Sequence, residues 1–128
     1  MPLSHFSENP TLASRAVQIW QILVGKAHGR QTMTYAGLAR LLGYEGSGTL
    51  GRQLGHIMFY CAQNDLPPLT VLVVNSETGH PGDAFQHESE IHALRESVYK
   101  YDWFNLVPPS EQDYIHSWET AENNNWRT

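Results

Sequence analysis

The chain has 128 residues, 41% of them apolar and 16% charged, the range of a globular domain able to bury its own core. Its one cysteine, Cys61, excludes an intrachain disulfide, no apolar run reaches the ~18–20 residues that cross a bilayer, and no signal-peptide pattern is present, which together predict a reducing cytoplasm. The formal charge of −5, from eight Lys and Arg against thirteen acids, excludes a chain that is basic throughout. The acids cluster late (Glu88, Glu90, Glu96, Asp102, Glu111, Asp113, Glu119, Glu122), whereas Lys26, Arg30, Arg40 and Arg52 face only Glu45 in the middle. A local basic face for a phosphate backbone is therefore compatible with the sequence.

Met1 to Asn9 carries little pattern. From Pro10, which suits a helix start, Leu12, Ala16, Ile19, Trp20, Leu23 and Val24 recur at helical spacing. Lys26 and His28 fall in the last turn before Gly29, where positive charge is favoured. A short connector leads to Thr34, which can cap a second helix carrying Tyr35, Leu38, Leu41 and Leu42, with Gly43 as its stop. Tyr44 to Gly48 has two glycines and no period, so it reads as a turn. From Thr49 the 3.6-residue period returns through Leu50, Leu54, Ile57, Met58 and Cys61.

Pro67 and Pro68 break that helix, and Leu69-Thr70-Val71-Leu72-Val73-Val74 reads as a strand on length and β-branched content. Asn75 to Gly79 is a turn, and His80 to Phe85 reads as the outgoing arm of a hairpin, restricted to an edge by Pro81. Ser89 to Tyr101 is helical, with Ile91, Leu94, Val98 and Tyr101 on one face. After Pro108-Pro109 a last helix begins at Ser110 with Tyr114, Ile115 and Trp118, and the tail from Asn123 reads as loose. The predicted fold is mainly α with a small β-hairpin wing: a winged helix-turn-helix over about residues 10–86 and a helical extension over about 87–122, one domain across 1–128.

The run Thr34-Tyr35-Ala36-Gly37-Leu38-Ala39-Arg40-Leu41-Leu42-Gly43-Tyr44, followed by Leu50-Gly51-Arg52-Gln53-Leu54-Gly55, resembles the DNA-binding domain of alkylguanine DNA alkyltransferases and their alkyltransferase-like relatives. Leu69 to Gly79 is similar to that family's strand and turn after the active-site loop, so the resemblance spans about a third of the chain. It implies a helix-turn-helix whose second helix enters the DNA minor groove, with Tyr35 matching a tyrosine that presses on a phosphate as a nucleotide rotates out. The family's acceptor cysteine has no counterpart, because Leu69 or Thr70 stands in its place and no activating histidine follows. Alkyl transfer is not expected. Gly48 or Thr49 occupies the place of the family's intercalating arginine, with Arg52 one helical turn further on.

Cys61 shares an apolar face with Leu54 and Met58 and reads as a buried small hydrophobe. Ser47-Gly48-Thr49 before a helix suits an anion or a plain helix cap, without a nucleotide P-loop signature. His80, His87 and His92, with Asp83, Glu88 and Glu90, form the one cluster that raises metal or hydrolase chemistry, but His87 and His92 are five residues apart and point about 140° apart on a helix. No metal or cofactor is expected. The functional expectation is a non-enzymatic DNA-binding protein that reads modified or distorted DNA through Tyr35, Arg40, Ser47, Thr49, Arg52, Gln53 and His56. The alternative is a winged-helix protein–protein module of a larger nucleic-acid-processing complex, working through the C-terminal aromatic and acidic region.

Overall fold

The computed structural model describes residues 3–8, 10–45, 50–82 and 88–123. Over these residues the chain forms five α-helices and one two-stranded sheet: α1 (Leu12–His28), β1 (Met33–Thr34), α2 (Tyr35–Leu42), α3 (Gly51–Gln63), β2 (Val73–Val74), α4 (Glu88–Lys100) and α5 (Glu111–Asn123). No described helix is long and apolar enough to cross a membrane.

Each helix forms for reasons visible in its residues. Thr11 caps α1 by accepting from the Ser14 N–H at 3.1 Å. The helix then buries Ala16, Ile19, Trp20, Leu23, Val24 and Ala27, a stripe at spacings of one, three and four. Thr34 caps α2 through the Gly37 N–H at 3.0 Å. Gly43 ends it in the left-handed region (φ 83°), a conformation that costs a glycine nothing, and this lets Tyr44 N–H close on the Ala39 carbonyl at 2.9 Å.

The segment after α3 departs from the expected hairpin. Leu69–Leu72 winds into a 3₁₀ turn, and only Val73 and Val74 are extended. They pair in parallel with β1, Met33 with Val73 and Thr34 with Val74. The physical reason is burial on all sides: every residue from Leu69 to Val74 is inside the protein. A hairpin arm with one solvated face would instead turn alternate side chains outward. Asn75 to His80 then closes on itself. Asn75 Oδ1 accepts from the Glu77 and Thr78 N–H groups, and Asn75 N–H donates to the His80 carbonyl at 2.8 Å. Pro81 and Gly82 are not strand, and the rest of the expected arm, residues 83–87, lies outside the described residues. The helical part of the expected fold is present; among the described residues the hairpin is not.

The C-terminal helices belong to the same core. On α5, Tyr114 and Ala121 are fully buried and Ser117 nearly so. Its N-terminus is tied to that of α1 by the Thr11 hydroxyl, which donates to Glu111 Oε1 at 2.9 Å, and Gln63 of α3 donates to the Ser117 carbonyl at 2.9 Å. Trp103 is buried against Trp20, with its indole N–H donating to the Val98 carbonyl at 2.8 Å. Helix α3 packs against α1 and α5 together, and Gly55 is where α5 comes closest: a Cβ there would lie 2.9 Å from Trp118 Cζ3.

Two glycine substitutions test this packing in opposite directions. Gly25, exposed on α1, has nothing within 4 Å of a new Cβ. Gly25→Ala is expected to raise stability by about 0.5–1 kcal/mol through helix propensity. Gly55→Ala must displace a large ring and is expected to cost about 1–3 kcal/mol. Urea unfolding midpoints at constant slope measure both.

Candidate nucleic-acid interface

Helix α2, the turn after it and the first turn of α3 hold most of the residues singled out in the sequence. Arg40 lies exposed in the last turn of α2, where the helix dipole favours a cation. Gly51 and Arg52 are exposed at the start of α3, just beyond the buried Leu50. Tyr35, the first residue of α2, is half-buried, and its hydroxyl reaches the loop after β2: a Cβ on Gly82 would lie 2.8 Å from that oxygen. The same loop is held from α4 by Arg95, which donates to the Gly79 carbonyl at 2.8 Å. Arg40 and Arg52 therefore reach the surface, whereas Tyr35 is half-buried beneath that loop.

Gln53 and His56 do not. Gln53 is 4% exposed and donates to the Tyr44 hydroxyl at 3.2 Å. His56 is 5% exposed; its Nδ1–H donates to the Arg52 carbonyl at 2.6 Å, and its ring stacks on Trp118 with centroids 4.4 Å apart. In this structure both side chains are buried in packing contacts. The remaining two expected contacts, Ser47 and Thr49, lie outside the described residues.

The fate of the arginines separates the helix-turn-helix segment from the rest of the chain. Arg15 is buried on α1, with its guanidinium 5.2 Å from the Tyr44 ring centre and Nη1 donating to Gln18 at 2.9 Å. Arg30 chelates both oxygens of Glu96 at 2.7 and 2.9 Å and lies over Tyr99. That hydrogen bond holds the Glu96 carboxyl below the usual carboxylate range. Arg95 is committed to Gly79. Arg40 and Arg52 make no ion pair among the described residues.

The Arg15–Tyr44–Gln53 cluster is not legible in the sequence pattern. Its one signal is that Arg15 stands four residues before Ile19, on the stripe that α1 buries. Arg15 Nε and Gln53 Oε1 are buried without a hydrogen-bond partner, a cost of about 1–3 kcal/mol each that the surrounding packing must offset.

No nucleophile is on offer at the position where the alkyltransferases carry theirs. Leu69 and Thr70 are both buried in the 3₁₀ turn. Cys61 is buried among apolar residues, as its spacing predicts, and burial pushes its thiol up to about 11, so it is protonated at neutral pH. Among the described residues no group of three His, Cys, Asp or Glu side chains could hold a metal ion; Asp83, His87 and the Glu88 side chain lie outside the description. The chain matches no family model, no curated protein and no solved structure.

Burial lowers the His56 pKa below its usual 6.5, against a smaller opposing effect of the bond to the Arg52 carbonyl. The unfolded chain therefore takes up this proton before the folded one does. The stability of the neutral, stacked ring is complete above the unfolded value and is lost as pH falls through the folded one. Between about pH 7.5 and about pH 5, the urea midpoint of the native protein is expected to fall further than that of His56→Gln. Equal declines would remove His56 as a titrating group.

Proposed function

We propose that this protein is a non-enzymatic DNA-binding protein of the alkyltransferase-like kind, using α2, the glycine turn and the start of α3 on modified or distorted duplex. The observation that carries the reading is the distribution of arginines. Arg15, Arg30 and Arg95 are engaged within the fold, whereas Arg40 and Arg52, on the two helices that resemble the alkyltransferase motif, are exposed and without an ion pair among the described residues. Two exposed arginines on one segment of a chain with net charge −5 suit a local contact with phosphates. Tyr35 stands where the resemblance puts a phosphate-pressing tyrosine, and its half-buried ring is held at the start of α2. The exposed Gly51 beside Arg52 allows close approach of a backbone.

A second reading, a protein–protein module, has its own observation. Phe104 is 67% and Val107 83% exposed, beside the end of α1, where His28 meets the Phe104 ring at 5.1 Å. The other aromatics of that stretch do not support it: Trp103 is buried, and Tyr99 and Tyr101 pack against the core.

Fluorescence anisotropy with duplex DNA, plain and carrying an alkylated guanine, across a salt series distinguishes the two. The DNA reading expects binding that weakens with salt and is tighter for the lesion. Arg40→Ala and Arg52→Ala should each cost about five- to tenfold in affinity, the size of one charge-assisted phosphate contact, and lower the salt slope by about 1. Circular dichroism verifies that the fold is kept. No binding at low salt, or two variants indistinguishable from the native protein, would sink the DNA reading and leave the Phe104–Val107 surface as the place to look for a partner.

A further inference from the structure

The loop after β2 meets the start of α2 at both of its ends. Where it begins, Val74 pairs with Thr34, the residue before Tyr35. Where its described part ends, a Cβ on Gly82 would lie 2.8 Å from the Tyr35 hydroxyl oxygen. Between these points the backbone braces itself. Asn75 N–H donates to the His80 carbonyl and Gly79 N–H to the Asn75 carbonyl, both at 2.8 Å. Asn75 Oδ1 accepts from the Glu77 and Thr78 N–H groups. Gly79 takes the left-handed conformation (φ 71°) that a glycine adopts without strain, and Pro81 is buried. A segment cross-linked in this way shifts as a unit, so whatever fixes Gly79 also sets where Gly82 lies against Tyr35.

Gly79 is fixed from α4. Arg95 Nη2 donates to its carbonyl at 2.8 Å, a charge-assisted bond stronger than one between neutral groups. The guanidinium is packed rather than loosely solvated, since its Nε is buried without a hydrogen-bond partner. The next residue, Glu96, is chelated by Arg30 at 2.7 and 2.9 Å, which ties this turn of α4 to the end of α1. We infer that Arg95 is a positioning residue for Tyr35, acting through Gly79 and the braced loop. The functional consequence rests on the DNA reading. There Arg40 and Arg52 supply charge for any duplex, and Tyr35 acts on the phosphate of a rotated nucleotide. Arg95 therefore sets the preference for a lesion and leaves general affinity for duplex DNA to the other two arginines.

The test is NMR of the full chain with labelled tyrosine and tryptophan, followed by anisotropy with plain duplex DNA and duplex carrying an alkylated guanine. In Arg95→Ala the Tyr35 ring signals are expected to move, while the indole N–H of Trp20, in the core, stays in place. Arg95→Lys keeps a cationic donor and should restore the native Tyr35 signals. Gly82→Ala crowds the hydroxyl directly and shows what a displaced Tyr35 looks like. With DNA, Arg95→Ala is expected to lose about three- to tenfold for the lesion, the worth of one hydrogen bond, and nothing for the plain duplex. Unmoved Tyr35 signals in Arg95→Ala would overturn the inference, and so would a Trp20 signal that moves with them. An equal loss on both duplexes would overturn it too, making Arg95 a phosphate contact in its own right. Were the native chain to bind neither duplex, the DNA reading would fall, and the role of Arg95 toward Tyr35 would still be decided by the Tyr35 signals.

Discussion

Trp20, halfway along α1 and 3% exposed, is met by rings from three other segments. Tyr60 of α3 and Trp103 approach it edge-on with centroids 5.9 and 5.4 Å away, and Tyr114 of α5 lies tilted at 6.5 Å. These are the separations and tilts at which ring quadrupoles attract, adding about 0.5–1.5 kcal/mol per pair to the burial of apolar area. The geometry also constrains: with α3 and α5 both fixed to one indole, α3 has two buried sides and only a narrow strip facing out. That strip contains Gly51 and Arg52 at its start. The cluster has a cost as well, because the Tyr114 hydroxyl is buried without a hydrogen-bond partner.

The two buried sides of α3 explain what the sequence discloses and what it hides. Single-stripe periodicity identifies Leu50, Leu54, Ile57 and Cys61, the side toward α1 and the 3₁₀ turn. It assigns Gln53 and His56 to solvent because they are polar and lie off that stripe. In the structure every residue from Gln53 to Ile57 is buried, since α5 covers the second side. One apolar stripe marks one packing partner, and the second partner is about fifty residues or more away in sequence. Trp118, which covers Gly55 and His56, is legible as an apolar position on a C-terminal helix; nothing local says which helix it covers.

The strands show the same division. Caps and stops are local chemistry, so Thr34 and Gly43 mark α2 to the residue. The parallel pairing of Met33–Thr34 with Val73–Val74 joins two-residue segments forty residues apart, and two residues carry no period to detect. The hairpin expectation comes from turn-forming residues at Asn75 to Gly79, and that turn is real: it closes through Asn75 and His80. Pro81 and Gly82, the next described residues, do not continue it as a strand. Of the expected site, Arg40 and Arg52 are exposed and Tyr35 is half-buried. Their common role rests on a resemblance in sequence that local geometry neither adds to nor removes.

Helix α3 also places an exposed charge and a buried imidazole one turn apart. Arg52, in its first turn, carries a positive charge at the surface with no ion pair among the described residues. His56, four residues on and so about 6 Å further along the axis, is buried beneath Trp118. The two residues are joined directly, because the His56 Nδ1–H donates to the Arg52 carbonyl. With Nδ1 committed to that bond, the neutral ring keeps its other nitrogen as an acceptor. Burial against Trp118 favours the neutral ring. The packing of α5 on α3 thus favours a neutral His56, and the carbonyl it binds belongs to the residue on which the DNA reading depends.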